Sequence, residues 1–242
     1  MNKYDLDKAT RIHYSFLPAS FSNQWVDLSL KYKPIYSLGG DYCSTIWLTD
    51  SRLLICMCDV VGHGVASALY AARVNTFVLT HAEKTEHPCE LMIALNKFLC
   101  ATLSGVGVYT TFFTVVIDFK LRQLEYASAA HPPAILYSPS NNTCEMLNSE
   151  TTLLGFMDMS PQVCQLRRLP IKSGDRLVIY TDGLVERSQD GGNAEKPGWL
   201  HALMLKHTEL NSSKFCELVM REAEKCFGPA QDDQLLMSIL VK

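Results

Sequence analysis

Two apolar runs in this chain end on an aspartate, which restricts both the strands that they form and the surroundings of the acid. The run LLICMC leads directly into Asp59, and the run LVIY reaches Asp182 after one further residue. A continuous apolar run bounded by turn residues is typical of a strand that is buried on both faces. Because burying a carboxylate without a partner is costly, we expect either a hydrogen-bonded helix cap or a metal ion beside Asp59.

The connections between the first strands are short, which predicts antiparallel pairing. The strand patterns VDLSLKY, SLGGDYCSTIWL and LLICMC follow one another with turn residues at Gly39–Gly40 and Asp50–Ser51. Because these connections are too short for crossover helices, we predict that the three strands form an antiparallel meander. Helical patterns precede these strands, follow Gly64 and return near the C-terminus. We therefore predict an α+β fold in which a central two-sheet antiparallel β-sandwich is flanked by helices.

No linker rich in Ser, Gly or Pro divides the chain. We expect residues 1–242 to form a single domain, with an N-terminal helix and lead-in over 1–20 and the core over 21–242. The one long polar stretch, SQDGGNAEKPG at 188–198, is predicted to be a mobile surface loop beside the functional site.

The composition excludes several classes of partner. Of the 242 residues, 48% are hydrophobic and 19% are charged, which is typical of a globular protein. With 22 basic and 25 acidic residues, the chain lacks the positive charge that nucleic-acid binding requires, so we expect no DNA or RNA partner. No apolar run resembles a signal peptide or approaches the roughly 18 residues of a membrane span, so we expect a cytoplasmic protein with no membrane partner.

Nine cysteines are present, and no two of them form a C-x-x-C pair. Most lie inside apolar runs, among them Cys56, Cys58, Cys100 and Cys164. We expect buried free thiols in a reducing cytosol rather than disulfides or a structural zinc site.

Four aspartates lie at or near the ends of predicted strands: Asp41, Asp59, Asp182 and Asp232. Each one alone is most simply a helix N-cap or a turn residue. In a twisted two-sheet core, however, several strand ends can meet at one edge, where the carboxylates would repel one another unless a cation lay among them. Carboxylate oxygens suit Mg²⁺ or Mn²⁺, and two such ions can hold a water for in-line attack on phosphorus. Together the four acids favour a two-metal phosphoester hydrolase.

The residues around these acids agree with that interpretation. Gly39 and Gly40 permit close approach of the backbone, and Val60 can offer its carbonyl where the strand breaks before Gly62. The sequence contains no G-x-S-x-G elbow, no P-loop and no C-x5-R loop that would supply a covalent nucleophile. Water is therefore favoured over a side chain as the nucleophile.

Seven sequence blocks carry a resemblance to a known family. They are SLGGDYCS, CDVVGHGVASAL, YTTFFTVVID, ASAAHPPAILY, LLGF, DRLVIYTDGLVE and DDQLLMSILVK. In this order and spacing they resemble the PPM-type (protein phosphatase 2C-like) phosphatases, and the similarity is greatest to the SpoIIE/RsbU branch of bacterial serine phosphatases. The resemblance covers essentially the whole chain.

The resemblance implies an αββα fold with two Mn²⁺ or Mg²⁺ ions at one edge of the sandwich. It further implies hydrolysis of phosphoserine or phosphothreonine on a small STAS-domain protein, either an antagonist of an anti-sigma factor or a component of a stress-signalling complex. The attacking water would bridge the two metals. By analogy, the catalytic carboxylates are those of Asp41 and Asp59, and the metal ligands are Asp41, Asp59, the carbonyl of Val60, Asp182, Asp232 and Asp233.

Three departures from the family pattern bear on activity. Ser44 stands where the family often has an acid, Leu235 where it often has a threonine, and Ala130 where it often has a glycine. Loss of the acid would weaken an outer metal site, so a catalytically weak scaffold that binds a phosphoprotein is the alternative function. All four strand-end aspartates are kept, which favours the enzyme. A nucleotide cyclase, suggested by Gly39-Gly40-Asp41, is disfavoured because no glutamate follows.

Two histidines and the N-terminal helix complete the predictions. His63 is a candidate general acid for the leaving alkoxide, and packing at the following helix is an equally good interpretation. His131, before two prolines, is predicted to orient a turn. The apolar stripe of the first helix, from Leu6 to Phe16, either pairs two subunits in a homodimer or packs on its own core.

Overall fold

The computed structural model describes residues 3–103, 105–185 and 198–242. These residues fall into two compact units. The first draws on Met1–Pro18, Tyr36–His131 and Asn148–Ile171, and the second on Ala19–Ile35, Pro132–Leu147 and Lys172–Lys242. Because the chain passes repeatedly from one unit to the other, neither unit is a continuous segment.

Five α-helices and eleven strands make up the regular structure of the described residues, apart from three short 3₁₀ turns. The helices are α1 Lys3–Tyr14, α2 Val65–His81, α3 Pro88–Leu103, α4 Gly198–Lys206 and α5 Ser212–Phe227. The strands are β1 Phe21–Ser22, β2 Val26–Lys33, β3 Tyr42–Thr49, β4 Arg52–Cys58, β5 Phe112–Asp118, β6 Gln123–Ala129, β7 Ala134–Ser138, β8 Thr143–Leu147, β9 Arg167–Pro170, β10 Arg176–Tyr180 and β11 Gln234–Val241.

The first unit contains a five-stranded sheet in the order β3-β4-β5-β6-β9 together with α1, α2 and α3. Six of the seven β4 residues are buried, as a continuous apolar run predicts for a strand covered on both faces. Apolar side chains of α2 and α3, including Val74, Leu95 and Leu99, pack in one cluster with Leu54 and Cys56 of β4. This packing buries the C-terminal end of β4, directly before Asp59.

The second unit contains a six-stranded sheet in the order β1-β2-β11-β10-β7-β8 together with α4 and α5. Asn211 begins α5 by accepting a hydrogen bond from the Lys214 amide, which is ordinary N-capping. Phe215 and Val219 of α5 pack with Val178 of β10 and Leu236 of β11. The sheet thereby places the end of β10 next to the start of β11.

The predicted α+β class is confirmed, and every pair of named strands is antiparallel. The predicted meander of the first three strands is wrong in one pairing, because β3 pairs with β4 but β2 belongs to the other sheet and pairs with β1 and β11. Two short strands, β1 and β8, were not predicted. The single domain stays a prediction. The predicted loop 188–198 lies, except for Gly198, outside the described residues.

The predicted stripe on α1 is only partly buried. His13 is its one buried residue, whereas Ile12 is 60% exposed. Pairing of two subunits through this helix stays a prediction. Among the described helices, none is long and apolar enough to cross a membrane.

The prediction that all cysteines are free thiols is wrong. Cys89, at the start of α3, forms a disulfide with Cys164, 75 residues later in sequence, and their Cα atoms lie 5.8 Å apart. The other seven cysteines are free, and four of them, Cys43, Cys56, Cys58 and Cys216, are buried as expected. The pairing depends on how α3 packs against a distant loop, and cysteine spacing along the chain carries no signal of that contact.

Candidate active site

In the first unit, the structure brings Asp41 and Asp59 to the same end of one strand pair. Tyr42, the first residue of β3, is directly opposite Cys58, the last residue of β4. Asp41 precedes Tyr42 and Asp59 follows Cys58, so the two acids flank this pair. Asp41 is buried, with 1% of its surface exposed, and Asp59 is half-buried.

Gly40 and Val60 lie in close backbone contact beside these acids. A Cβ atom added at Gly40 would lie 2.7 Å from the Val60 carbonyl oxygen, so only glycine fits there. Val60 also pairs with Thr110 through hydrogen bonds from the Val61 amide to the Tyr109 carbonyl and from the Thr111 amide to the Asp59 carbonyl. Because those bonds use the neighbours of Val60, its own carbonyl points away from Thr110 and toward Gly40.

The charges of the two acids act on a common neighbour. Burial raises the pKa of the Cys58 thiol well above its usual value, and the negative charges of Asp59 and Asp41 raise that pKa further, against the opposing effect of a hydrogen bond with Thr110. Cys58 directly precedes Asp59 and lies opposite Tyr42, which directly follows Asp41. Two like charges at one strand end are destabilising, and a bound cation would relieve their repulsion.

In the second unit, the structure brings Asp182 next to the Asp232–Asp233 pair. Asp182 opens a 3₁₀ turn directly after β10. A Cβ atom at Gly183 would lie 2.0 Å from the Asp233 carbonyl oxygen, and the Gln234 side chain donates a 3.0 Å hydrogen bond to the Gly183 carbonyl. Glycine after Asp182 is thus required for the close approach of these two segments.

The two acids of the pair differ in their surroundings. Asp233 is buried, and its Oδ1 accepts a 2.8 Å hydrogen bond from the Ile35 amide. Asp232 is exposed, and its Oδ1 accepts a 2.8 Å hydrogen bond from the Asp233 amide. The accessible carboxylate is therefore that of Asp232, whereas Asp233 anchors the chain after β2.

Two of the three residues that depart from the family pattern, Ser44 and Leu235, are buried. Ser44 on β3 is 5% exposed and lies opposite Cys56. Leu235 on β11 is fully buried, and its amide donates a 3.0 Å hydrogen bond to the Thr181 hydroxyl next to Asp182. Thr181 therefore provides a hydroxyl near this acid even though position 235 does not.

His63 lies in an exposed turn between two glycines, Gly62 and Gly64, that both have positive φ values of 93° and 86°. Its ring packs on the ring of Tyr36, with the centroids 5.0 Å apart. The side chain is thus accessible to a substrate, as a general acid must be. Its catalytic role stays a prediction.

Sequence reasoning missed Thr110 and Thr111, which lie just before β5. The Thr110 hydroxyl donates a 2.8 Å hydrogen bond to the Asp59 carbonyl, and the Thr111 hydroxyl accepts one of 3.1 Å from the Asp59 amide. The block YTTFFTVVID contains both threonines, but nothing in it indicates that they reach a residue some 50 positions earlier.

The donor set fits a hard divalent cation. Every predicted ligand offers oxygen, either from a carboxylate or from the Val60 carbonyl, and Mg²⁺ and Mn²⁺ prefer oxygen ligands. Across residues 3–103, 105–185 and 198–242, no three His, Cys, Asp or Glu side chains are gathered as they would be in a closed metal cage. Mg²⁺ sites commonly use few carboxylates and several waters, which agrees with such an open arrangement.

Comparison with known proteins gives consistent results. The family model for stage II sporulation protein E (SpoIIE) matches residues 49–242. The chain is 26% identical over 188 residues to the phosphoserine phosphatase RsbP of Bacillus subtilis (strain 168), which covers 76% of this chain and 46% of RsbP. It is 24% identical over 208 residues to the phosphoserine phosphatase RsbU of the same organism, which covers 85% of this chain and 60% of RsbU. The chain thus spans about half the length of these curated relatives.

A solved structure shows the same fold. The SiaA-PP2C domain of Pseudomonas aeruginosa superimposes with a TM-score of 0.85 at 19% identity, covering 99% of this chain and 96% of that one. The match extends over both compact units, so the whole described chain has a PP2C-like fold.

Proposed function

Because the chain belongs to the SpoIIE family, in the SpoIIE/RsbU branch of PPM-type phosphatases, we propose that it hydrolyses phosphoserine or phosphothreonine on a protein. The observation that carries this proposal is the retention of Asp41, Asp59, Asp182 and Asp232 at strand ends in a chain with this fold. A protein that only bound its partner would have no need to keep all four carboxylates, least of all the buried one of Asp41.

PPM-type phosphatases use divalent metal ions, and we propose two Mn²⁺ or Mg²⁺ ions for this chain. When bound, such ions activate a water for direct attack on phosphorus and neutralise charge on the phosphate oxygens. The residues that would hold them are Asp41, Asp59 and the Val60 carbonyl in the first unit and Asp182 and Asp232 in the second. Asp233 is left with a structural role because its carboxylate already binds the Ile35 amide.

The chain's own residues would perform the remaining steps. Asp41 and Asp59, one buried and one half-buried, orient the attacking water by accepting its hydrogen bonds. His63 donates a proton to the leaving serine or threonine oxygen from its exposed turn.

We propose that the substrate is a phosphorylated STAS-domain protein of a partner-switching system. Support comes from the similarity to RsbP and RsbU, both phosphoserine phosphatases, and from the sequence blocks shared with that branch. In such a system, removal of the phosphate changes the protein to which the STAS domain binds.

The second candidate function is a catalytically weak scaffold that binds the phosphoprotein without turning it over. Ser44 and Leu235 favour it, because they replace an acid and a hydroxyl that the family often has near its metals. Burial of Ser44 means that solvent does not substitute freely for the missing acid.

Phosphate release separates the two functions. We would incubate the wild-type chain with an aryl phosphate and with a phosphorylated STAS protein, in Mn²⁺ and in excess EDTA. The phosphatase predicts multiple turnovers with Mn²⁺ and none with EDTA. Stable binding of the phosphorylated STAS protein with no phosphate release in Mn²⁺ would establish the scaffold instead.

A further inference from the structure

We propose that Thr111 and His131 are positioning residues that hold Asp59 in its functional orientation through a chain of hydrogen bonds. This inference rests on the proposed function, since it assigns Asp59 to metal binding. Neither residue is a predicted ligand or acid, and His131 was expected only to orient a turn.

The chain is continuous in the structure. The Asp59 amide donates to the Thr111 hydroxyl at 3.1 Å, and that hydroxyl lies 2.8 Å from Nδ1 of His131. His131 is 2% exposed, so water does not compete for this bond. Asp59 is therefore linked through the Thr111 side chain to the buried His131, which lies 72 positions later in the sequence.

The Thr111 hydroxyl can make both bonds at once. Its oxygen accepts from the Asp59 amide, and it can either donate its proton to Nδ1 of His131 or accept from Nδ1–H with its second lone pair, according to the tautomer of the ring. Either arrangement keeps the Thr111 oxygen directed at Asp59.

The backbone on either side of His131 determines the position of its side chain. Ala130, directly before it, adopts a left-handed conformation with φ of 50°, and its amide donates to the Thr151 carbonyl at 2.9 Å. The Ala130 amide also donates to the Ser149 hydroxyl. Pro132 follows at once, and it restricts His131 to extended backbone. These restraints direct the imidazole inward, and the centroid of its ring lies 6.1 Å from the centroid of the Phe113 ring.

The remaining bonds around Asp59 explain why its orientation depends on this chain. The Thr110 hydroxyl and the Thr111 amide both donate hydrogen bonds to the Asp59 carbonyl. The Thr111 hydroxyl accepts a hydrogen bond from the Asp59 amide. Together they set the direction in which the Asp59 side chain and the Val60 carbonyl leave the end of β4. Substitution of a residue that hydrogen-bonds to a metal ligand typically lowers metal affinity or activity by about 10- to 100-fold.

The test removes each link and measures Mn²⁺ binding directly. Thr111→Val keeps the shape of the side chain but removes the hydroxyl, and His131→Leu removes the ring nitrogen that contacts it. We would titrate each variant of the 242-residue chain with Mn²⁺ and follow free Mn²⁺ by electron paramagnetic resonance, alongside phosphate release. Each variant is expected to bind Mn²⁺ about tenfold or more weakly than wild type.

Conservative variants and a matched control distinguish positioning from general damage to the fold. Thr111→Ser keeps the hydroxyl, and His131→Asn places an oxygen near the position of Nδ1, so both are expected to retain most of the affinity. Thr114→Val makes the same change at a fully buried threonine of β5 and should leave Mn²⁺ binding unchanged. In the double variant Thr111→Val/His131→Leu, the loss should be no larger than in the worse single variant, because both residues act through one bond to Asp59.

Each other result has a definite meaning. Wild-type Mn²⁺ affinity in folded Thr111→Val, with an active wild-type enzyme, would overturn the positioning role alone, as would losses that add in the double variant. A wild-type chain that binds no Mn²⁺ and releases no phosphate would overturn the proposed function together with this inference. Hydrogen exchange at the Asp59 amide gives a metal-free check, because His131→Leu should accelerate it and unchanged protection would contradict the chain.

Discussion

Ala130 shows how a single residue can carry local strain next to the functional site. Its φ of 50° lies in the left-handed region, which costs a residue with a Cβ about 1–2 kcal/mol. Related sequences often have glycine here, according to the motif that this block resembles. The strain is tolerated because the Ala130 amide is held by both Thr151 and Ser149.

Ala130→Gly is therefore expected to leave stability unchanged or to raise it by up to about 1 kcal/mol. Glycine removes the strain but adds about 0.5–1 kcal/mol of chain entropy to be lost on folding. Ala129→Gly is the matched control. Ala129 is a fully buried strand residue, so the same change there should lower the stability of the protein. Thermal unfolding of the two variants measures the difference, and equal losses in both would contradict the account.

At this scale, the sequence predicted residues whose role follows from their position along the chain. Asp59 and Asp182 were predicted as ligands because an acid at the end of an apolar strand is conspicuous, and Asp41 because it follows Gly39–Gly40 between two predicted strands. Thr111 and His131 were not found, because their hydrogen bond joins residues that are remote in sequence and unremarkable in type. The difference between Asp232 and Asp233 also depends on a distant partner, the Ile35 amide.

Among the structural elements, α3 carries a disulfide where the sequence analysis predicted a free thiol. The Cys89–Cys164 disulfide ties its first turn to the segment that precedes β9. Closing a loop of this length restricts the unfolded chain, and the entropy model gives a stabilisation of about 4 kcal/mol for a separation of 75 residues.

Reduction is therefore expected to lower the Tm of the wild-type chain by about 10 °C, using the usual 2–4 °C for each kcal/mol in a protein of this size. The double variant Cys89→Ser/Cys164→Ser should start near the lower value and should not respond to the reductant. Cys226→Ser, at an exposed free cysteine, should behave as wild type. A wild-type Tm that is unaffected by reductant would show that this disulfide does not stabilise the fold in solution.

Most elements were predictable because their own residues carry the pattern. Long apolar runs and helical spacing located β4, β5, α2 and α3, and the short turn at Asp50–Ser51 predicted the antiparallel pairing of β3 with β4. The strands β1 and β8 were missed because one has two residues and the other alternates weakly, with a single buried residue at Leu147. Such strands exist because a neighbouring strand offers them hydrogen bonds.

At the scale of the whole molecule, each compact unit contributes one sheet and its own group of strand-end acids. Asp41 and Asp59 belong to the first unit, and Asp182 and Asp232 belong to the second. The sequence could not predict this division, because the chain alternates between the units without any linker composition at the crossings. It did predict the PPM-type family, because seven short blocks in order carry more information than the composition of any segment.

The measurement that tests the account most directly compares Mn²⁺-dependent phosphate release by the wild-type chain, Asp59→Asn and Asp182→Asn. Asp118→Asn is the control, since Asp118 also ends an apolar strand but binds the Lys120 and Leu121 amides. We predict that Asp59→Asn and Asp182→Asn each lose more than the roughly 100-fold that an outer-shell residue can account for. The control should keep wild-type activity. Wild-type rates in either Asp59→Asn or Asp182→Asn would contradict the claim that both units supply carboxylates to the reaction.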